Sequence, residues 1–156
     1  MMKIVLIFTS FLLTIFFANS IVYAVVKTGN KSALCPQSRQ TITAPRAYLE
    51  MKNPLRKEPR HVKKGKELSY IKAKPIACKQ CHGMGGNGQG AMALNMNPKP
   101  RNFTCNSTMN TISDGQLFWI IKNGSKGTLM PSYSHLSTRK VWQLIHYIRS
   151  FIEEPS

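Results

Sequence analysis

The sequence predicts an all-α fold in which three main helices are joined by long loops. Apolar residues near the end of the chain recur at spacings of three and four, the pattern of a helix with one buried face. They are Val141, Leu144, Ile145, Ile148 and Ile152. Alternation of apolar and polar residues, which is typical of half-buried strands, is scarce. Loops this long are unusual in a small helical domain unless a large bound group occupies its centre.

Two further helices precede this one. A first helix is predicted over residues 63–73, ending before Pro75 because a residue that precedes proline is disfavoured in a helix. A second begins at a capping box, with Ser113 as the N-cap and Gln116 at the third helical position. Gly124 is a suitable residue to end that helix.

The chain divides into three predicted parts. Residues 1–24 combine a short basic start, an apolar run and small residues before a cleavage point after Ala24, which indicates a signal peptide. The run is also long enough to cross a bilayer, so an uncleaved N-terminal anchor is the alternative. Residues 25–61 are expected to form a basic, proline-containing extended arm, and residues 62–156 the compact domain. Either leader would place the rest in the periplasm, soluble or anchored.

The charge of the chain is strongly positive, with 22 Lys and Arg against 6 Asp and Glu and a net charge of +16. Much of the excess lies within residues 51–74, immediately before the cysteine motif described below. Such a surface favours an acidic protein partner or an anionic membrane surface. Nucleic acid is not expected, because no recognition motif is present and the chain is exported. His61 and His146 are expected at the surface.

The motif Cys78-x-x-Cys81-His82 carries the clearest chemical signal. Thiols three residues apart share one helical face, where each can form a thioether with a vinyl group of a porphyrin. The adjacent imidazole can then coordinate the iron. This motif predicts one covalently attached haem c. Glycines recur over residues 83–90, where the backbone can pass close to a ring.

Met130 is the predicted second axial ligand of the iron. It lies in a loop between two helices, far along the chain from His82, and is followed by Pro131. A thioether ligand favours ferrous iron and raises the reduction potential. His135 is the main competitor, and its ligation would lower the potential. Other methionines lack the following proline; they are Met84, Met92, Met96 and Met109.

The chain resembles the class I mono-haem cytochromes c. The resemblance runs from about residue 62 to residue 152 and includes the cysteine motif, Met130-Pro131 and a closing helix rich in aromatic residues. It implies a fold of three main helices with long loops wrapped around one covalently bound haem. The arm at 25–61 lies outside this resemblance.

The same resemblance implies two contacts within the domain. In the family, a glycine of the first helix lets the last helix cross closely against an aromatic residue; Gly65 and Tyr147 match these positions, with Trp142 as a further candidate for the same contact. A proline-containing loop also supplies a carbonyl to the ring nitrogen of the proximal histidine, and Pro98 or its neighbours could provide it here. That hydrogen bond would fix the tautomer of His82.

Cys35 and Cys105 remain after the haem takes two thiols. An even remainder in an oxidising compartment predicts one disulfide, which would tie the arm to the loop after residue 100. Two free thiols are one alternative, and a Cys105 thiolate that ligates the iron is another.

These observations predict an exported electron carrier rather than an enzyme. Iron with two strong axial ligands has no open position for substrate, so we expect single-electron exchange with an acidic redox partner protein. One alternative is a haem subunit of a larger periplasmic oxidoreductase complex. Another is a haem-based redox or ligand sensor. A zinc or thiol-redox module is a remote alternative, because the sequence has no second pair of closely spaced cysteines.

Overall fold

The structure, a computed structural model, describes residues 35–37 and 41–152. Within them it contains helices but no β-strand, which confirms the all-α prediction. The helices are α1 (Arg46–Leu49), α2 (Pro59–Glu67), α3 (Lys79–His82), α4 (Asn106–Met109), α5 (Asp114–Asn123) and α6 (Thr138–Arg149). A π-helical turn, Leu68–Lys72, continues α2, and a 3₁₀ turn covers Ala91–Ala93. The predicted leader at 1–24 lies outside the described residues, among which no helix is long and apolar enough to cross a bilayer.

The three predicted main helices correspond to α2 with its π-helical turn, α5 and α6. Helix α2 begins at Pro59 rather than at residue 63, because a proline is well accommodated at the first helical position. Helix α5 has Ser113 as its N-cap, whose hydroxyl accepts a hydrogen bond from the Gln116 backbone N–H at 3.1 Å. Gly124 follows its last turn with a φ of 77°, as the predicted stop requires.

The side chain of Gln116 has a different partner from the one a capping box provides. Its Nε2 donates to the Ile42 carbonyl at 2.9 Å, and its Oε1 accepts from the Ala44 N–H at 2.7 Å. Gln116 therefore attaches the residues before α1 to α5.

Helices α2 and α6 cross in close backbone contact at Gly65. A Cβ atom at this position would lie 2.1 Å from the Gln143 backbone oxygen and 2.8 Å from the Tyr147 Cβ. The expected contact between Gly65 and Tyr147 is thus confirmed. Trp142, the further candidate for this contact, packs on the ring of Phe118, with centroids 4.6 Å apart.

Helix α6 is buried around its whole circumference between residues 141 and 148. The predicted apolar face lies in the main core: Val141, Leu144, Ile145 and Ile148. The other sides are covered by α2 and by the chain before it. Asn53 Nδ2 donates to the Trp142 carbonyl at 3.0 Å, and His146 Nε2 donates to the Leu55 carbonyl at 2.9 Å. Residues of the predicted arm therefore complete the environment of this helix.

The expectation that His61 and His146 are surface residues is wrong. Their exposed fractions are only 4% and 8%, and their rings stack with centroids 6.3 Å apart. Gln143 Nε2 donates to His61 Nδ1 at 3.2 Å, which requires an unprotonated Nδ1. Burial lowers the pKa of His61, and the neighbouring Arg139 and Arg60 lower it further. His61 is therefore an uncharged part of the α2–α6 interface at neutral pH.

The described part of the arm is not extended throughout. Helix α1 forms after Pro45, and its Tyr48 ring stacks on Phe118 at a centroid distance of 6.3 Å. Gly115 allows this approach, since a Cβ there would lie 1.7 Å from the Tyr48 carbonyl oxygen. Packing against α5 accounts for a helix where the prolines predicted extended chain. The division of the chain at residue 61 itself stays a prediction.

The crossing at Gly65 predicts a large difference between two glycine substitutions. Gly65→Ala should lower the free energy of unfolding by about 2 kcal/mol or more, because its Cβ meets backbone that cannot move aside. Gly85→Ala is the matched control: a Cβ there meets nothing within 4 Å, and its effect should stay within about 0.5 kcal/mol. Denaturant unfolding of the two variants measures both values. Equal effects would contradict the proposed close crossing.

Candidate functional site

The candidate site is an apolar cavity of about 720 Å³ between the cysteine motif, α5 and α6. The structure places all four predicted haem residues on its lining: Cys78, Cys81, His82 and Met130. They come from two segments about 50 residues apart in the sequence, so the fold brings them together.

Helix α3 presents the cysteine motif to this cavity. Cys78 is its N-cap, and the His82 N–H donates to the Cys78 carbonyl at 2.9 Å. Gly83 then ends the helix with a φ of 78°, in the left-handed region that favours glycine. One short helical turn therefore holds two thiols and an imidazole side by side.

The imidazole of His82 is oriented by a backbone carbonyl. Its Nδ1 lies 3.0 Å from the carbonyl oxygen of Arg101. A carbonyl can only accept, so Nδ1 carries the proton and Nε2 the lone pair that could bind iron. The ring also stacks on Phe103, with centroids 4.3 Å apart and an interplanar angle of 12°. The acceptor is thus Arg101, which lies in the proline-containing segment around Pro98 that was expected to supply it.

Met130 lies on the loop between α5 and α6. Its backbone N–H donates to the Thr128 hydroxyl at 3.1 Å, and its carbonyl accepts from the Ser125 N–H at 3.2 Å. The loop approaches the end of α5 so closely that a Cβ on Gly124 would lie 2.9 Å from the Met130 carbonyl oxygen. These contacts place a partly buried thioether at the cavity.

Most of the competing ligands do not line the cavity, and one does. His135 is exposed, and Met84 and Met92 are 64% and 48% exposed; none of the three lines the cavity. Met109 is fully buried in the core and does not line it either. Met96, however, does line the cavity. It is the competitor that the structure leaves beside Met130.

Residues 61–148 match the model of a family described as cytochrome c oxidase, cbb3-type, subunit III. The chain belongs to this family of class I c-type cytochromes. No curated protein matches the chain. Among solved structures, it resembles a chain of the reducing HAO-like protein complex of Kuenenia stuttgartiensis, with 28% sequence identity and a TM-score of 0.54. That match covers 67% of this chain and 49% of the other, so the cytochrome spans about half the length of the protein it resembles.

The family implies covalently bound haem c, and the cavity of the cytochrome fits such a group. Two thiols, an imidazole and a thioether lie on one largely apolar lining. The lining includes no Asp or Glu among the described residues, and Arg101 is its one permanently charged side chain. This donor set is the one that attachment and axial ligation of haem c require.

The glycine-rich loop of the cytochrome closes one side of the site. Gly86 and Gly88 have φ angles of 69° and 78°. A Cβ on Gly88 would lie 2.6 Å from the Pro100 carbonyl oxygen, and the Phe103 N–H donates to the Gly86 carbonyl at 2.7 Å. The loop therefore supports the segment that orients His82.

The thiols of the motif are not activated as nucleophiles. Burial raises the pKa of Cys78 to about 11, and burial also raises the pKa of Cys81. Attacking cysteines of thiol-redox enzymes have lowered pKa values instead. This difference argues against the thiol-redox alternative for the cytochrome.

Cys35 and Cys105 are joined in a disulfide, the pairing that the sequence predicts. Neither sulfur is then a thiolate that could ligate iron. The disulfide brings Pro36 and Gln37 to the cavity lining, together with Thr41 and Thr43. All of these residues lie outside the matched residues of the family.

Proposed function

We propose that this cytochrome carries single electrons between redox partners in the periplasm, through one haem c attached to Cys78 and Cys81 and ligated by His82 and Met130. The observation that carries this proposal is the convergence of these four side chains on one apolar cavity. A haem bound there supplies a ferric–ferrous couple, and two strong axial ligands favour electron exchange over substrate binding at the iron.

In this function, the two axial ligands shift the balance between ferric and ferrous iron in opposite directions. The hydrogen bond from His82 Nδ1 to Arg101 makes the imidazole a better electron donor, which favours ferric iron. The thioether of Met130 acts in the opposite direction by favouring ferrous iron.

A haem subunit of a larger oxidoreductase complex is the second candidate. The matching family is described as a subunit of an oxidase, and the similar solved structure is a protein complex. Those are properties of the other proteins, but they favour a stable assembly here. Native gel migration of the holoprotein distinguishes the two: a subunit migrates with its partners and a free carrier migrates alone.

We propose an acidic partner on the basis of a lysine cluster beside the cysteine motif. The Nζ atoms of Lys66 and Lys79 lie 5.4 and 5.3 Å from the ring centroid of Tyr70. The Tyr70 hydroxyl donates to the Met84 carbonyl at 2.9 Å, which fixes the ring next to the glycine-rich loop. Two cations are thus held beside the haem attachment site, where an acidic surface would be attracted.

The two methionines on the cavity lining should respond differently to substitution. Met130→Ala should abolish the weak near-infrared absorption band of methionine-ligated ferric haem and lower the reduction potential, because the soft ligand is lost. Met96→Ala is the matched control and should keep both properties. Absorption spectra and potentiometric titration of the two holoproteins make the measurement. Loss of the band in Met96→Ala but not in Met130→Ala would reverse the assignment.

Charge at the lysine cluster should control electron exchange with anions. Oxidation of the ferrous holoprotein by hexacyanoferrate(III), an anion, should slow by roughly an order of magnitude as salt is raised from about 0.01 to 0.2 M. Lys66→Gln/Lys79→Gln should weaken this dependence more than the charge-matched control Arg139→Gln/Lys140→Gln. Stopped-flow kinetics provide the rates. A salt-independent rate, or equal effects of both pairs, would refute the proposed surface.

A further inference from the structure

Gln37 lies outside the matched residues of the family but contributes to the cavity lining. It is two residues from Cys35, whose disulfide with Cys105 attaches this part of the chain to the domain. The Gln37 backbone N–H also donates to the Thr108 hydroxyl at 3.3 Å. The disulfide and this backbone hydrogen bond thus hold Gln37 in place, whatever contacts its side chain makes.

The side-chain amide of Gln37 contacts three consecutive residues. Its Nε2 donates to the Pro100 carbonyl at 3.0 Å. Its Oε1 accepts from the Asn102 backbone N–H at 2.8 Å and from the Arg101 Nη1 at 3.3 Å. Because the two backbone contacts lie on either side of Arg101, the amide limits rotation of the peptide groups that flank this residue.

Arg101 is the residue whose carbonyl accepts the proton of His82 Nδ1, at 3.0 Å. Gly88 of the glycine-rich loop also packs closely against this segment, since a Cβ on Gly88 would lie 2.6 Å from the Pro100 carbonyl oxygen. The segment 100–102 is therefore held between the glycine-rich loop and Gln37. A continuous set of contacts leads from the disulfide through Gln37 to the imidazole.

We propose that Gln37 is a positioning residue for the axial histidine: it holds residues 100–102 so that the Arg101 carbonyl stays bonded to His82 Nδ1. This role rests on the proposed function, in which His82 ligates the haem iron. A well-aligned bond at Nδ1 increases electron donation from the imidazole and favours ferric iron. Gln37 should therefore keep the reduction potential lower than it would otherwise be.

The test compares two amide substitutions in the haem-loaded protein. Gln37→Leu keeps most of the side-chain volume but removes every side-chain hydrogen bond to residues 100–102. Asn53→Leu is the matched control, because Asn53 also attaches the preceding chain to the domain, through the Trp142 carbonyl, and does not line the cavity. The reduction potential and the exchange rate of the His82 Nδ1 proton, followed by NMR, are measured in both.

The positioning role predicts a higher reduction potential and faster exchange of the Nδ1 proton in Gln37→Leu, with both quantities unchanged in Asn53→Leu. An unchanged potential and exchange rate in Gln37→Leu, or the same shifts in both variants, would overturn the role. If Gln37→Leu does not load haem, Gln37→Asn, which withdraws the amide by one methylene, is judged by the same criteria.

The wild-type holoprotein separates this inference from the proposed function. If it titrates as a one-electron couple with histidine ligation, the proposed function is supported whatever the variants show, and unchanged variants remove only the role of Gln37. If the wild-type protein has no such couple, the proposed function fails and the role of Gln37 fails with it.

Discussion

Helices α2 and α6 meet at Gly65 with no side chain between their backbones, and the rest of the domain is arranged around this contact. The π-helical turn that continues α2 leads toward α3 and the cysteine motif. Helix α6 also packs against α5, through the contact between Trp142 and Phe118. The loop that carries Met130 spans the gap between α5 and α6. The two ligand-bearing segments thus face one cavity because the close crossing fixes the elements to which they are attached.

Local signals were sufficient to predict much of this arrangement. The motif at residues 78–82, the Ser113 cap and the Gly124 stop each depend on a few neighbouring residues, and they can be read directly from the sequence. The burial of His61 and His146 could not be predicted in this way. Periodicity identifies the apolar face of a helix but not the segment that covers its polar side. In this protein that covering comes partly from residues of the arm.

The remaining features that the sequence did not predict depend on the paths of the loops. The presence of Met96 on the cavity lining depends on the path of the chain after the 3₁₀ turn, which no local pattern specifies. The identity of Arg101 as the acceptor for His82 likewise depends on how residues 97–101 run past α3. Outside the family match, the disulfide and Gln37 add contacts to this same segment. The cytochrome domain and the chain before it therefore share one site.

The account depends most on covalent attachment of one haem through Cys78 and Cys81, and intact-protein mass spectrometry under denaturing conditions tests this directly. The wild-type protein should carry the added mass of one haem, and Cys78→Ser/Cys81→Ser should carry none. Cys35→Ser/Cys105→Ser, the control for loss of two cysteines, should keep the added mass because these sulfurs are paired with each other. A wild-type protein without the haem mass, or a Cys78→Ser/Cys81→Ser variant that retains it, would contradict the account.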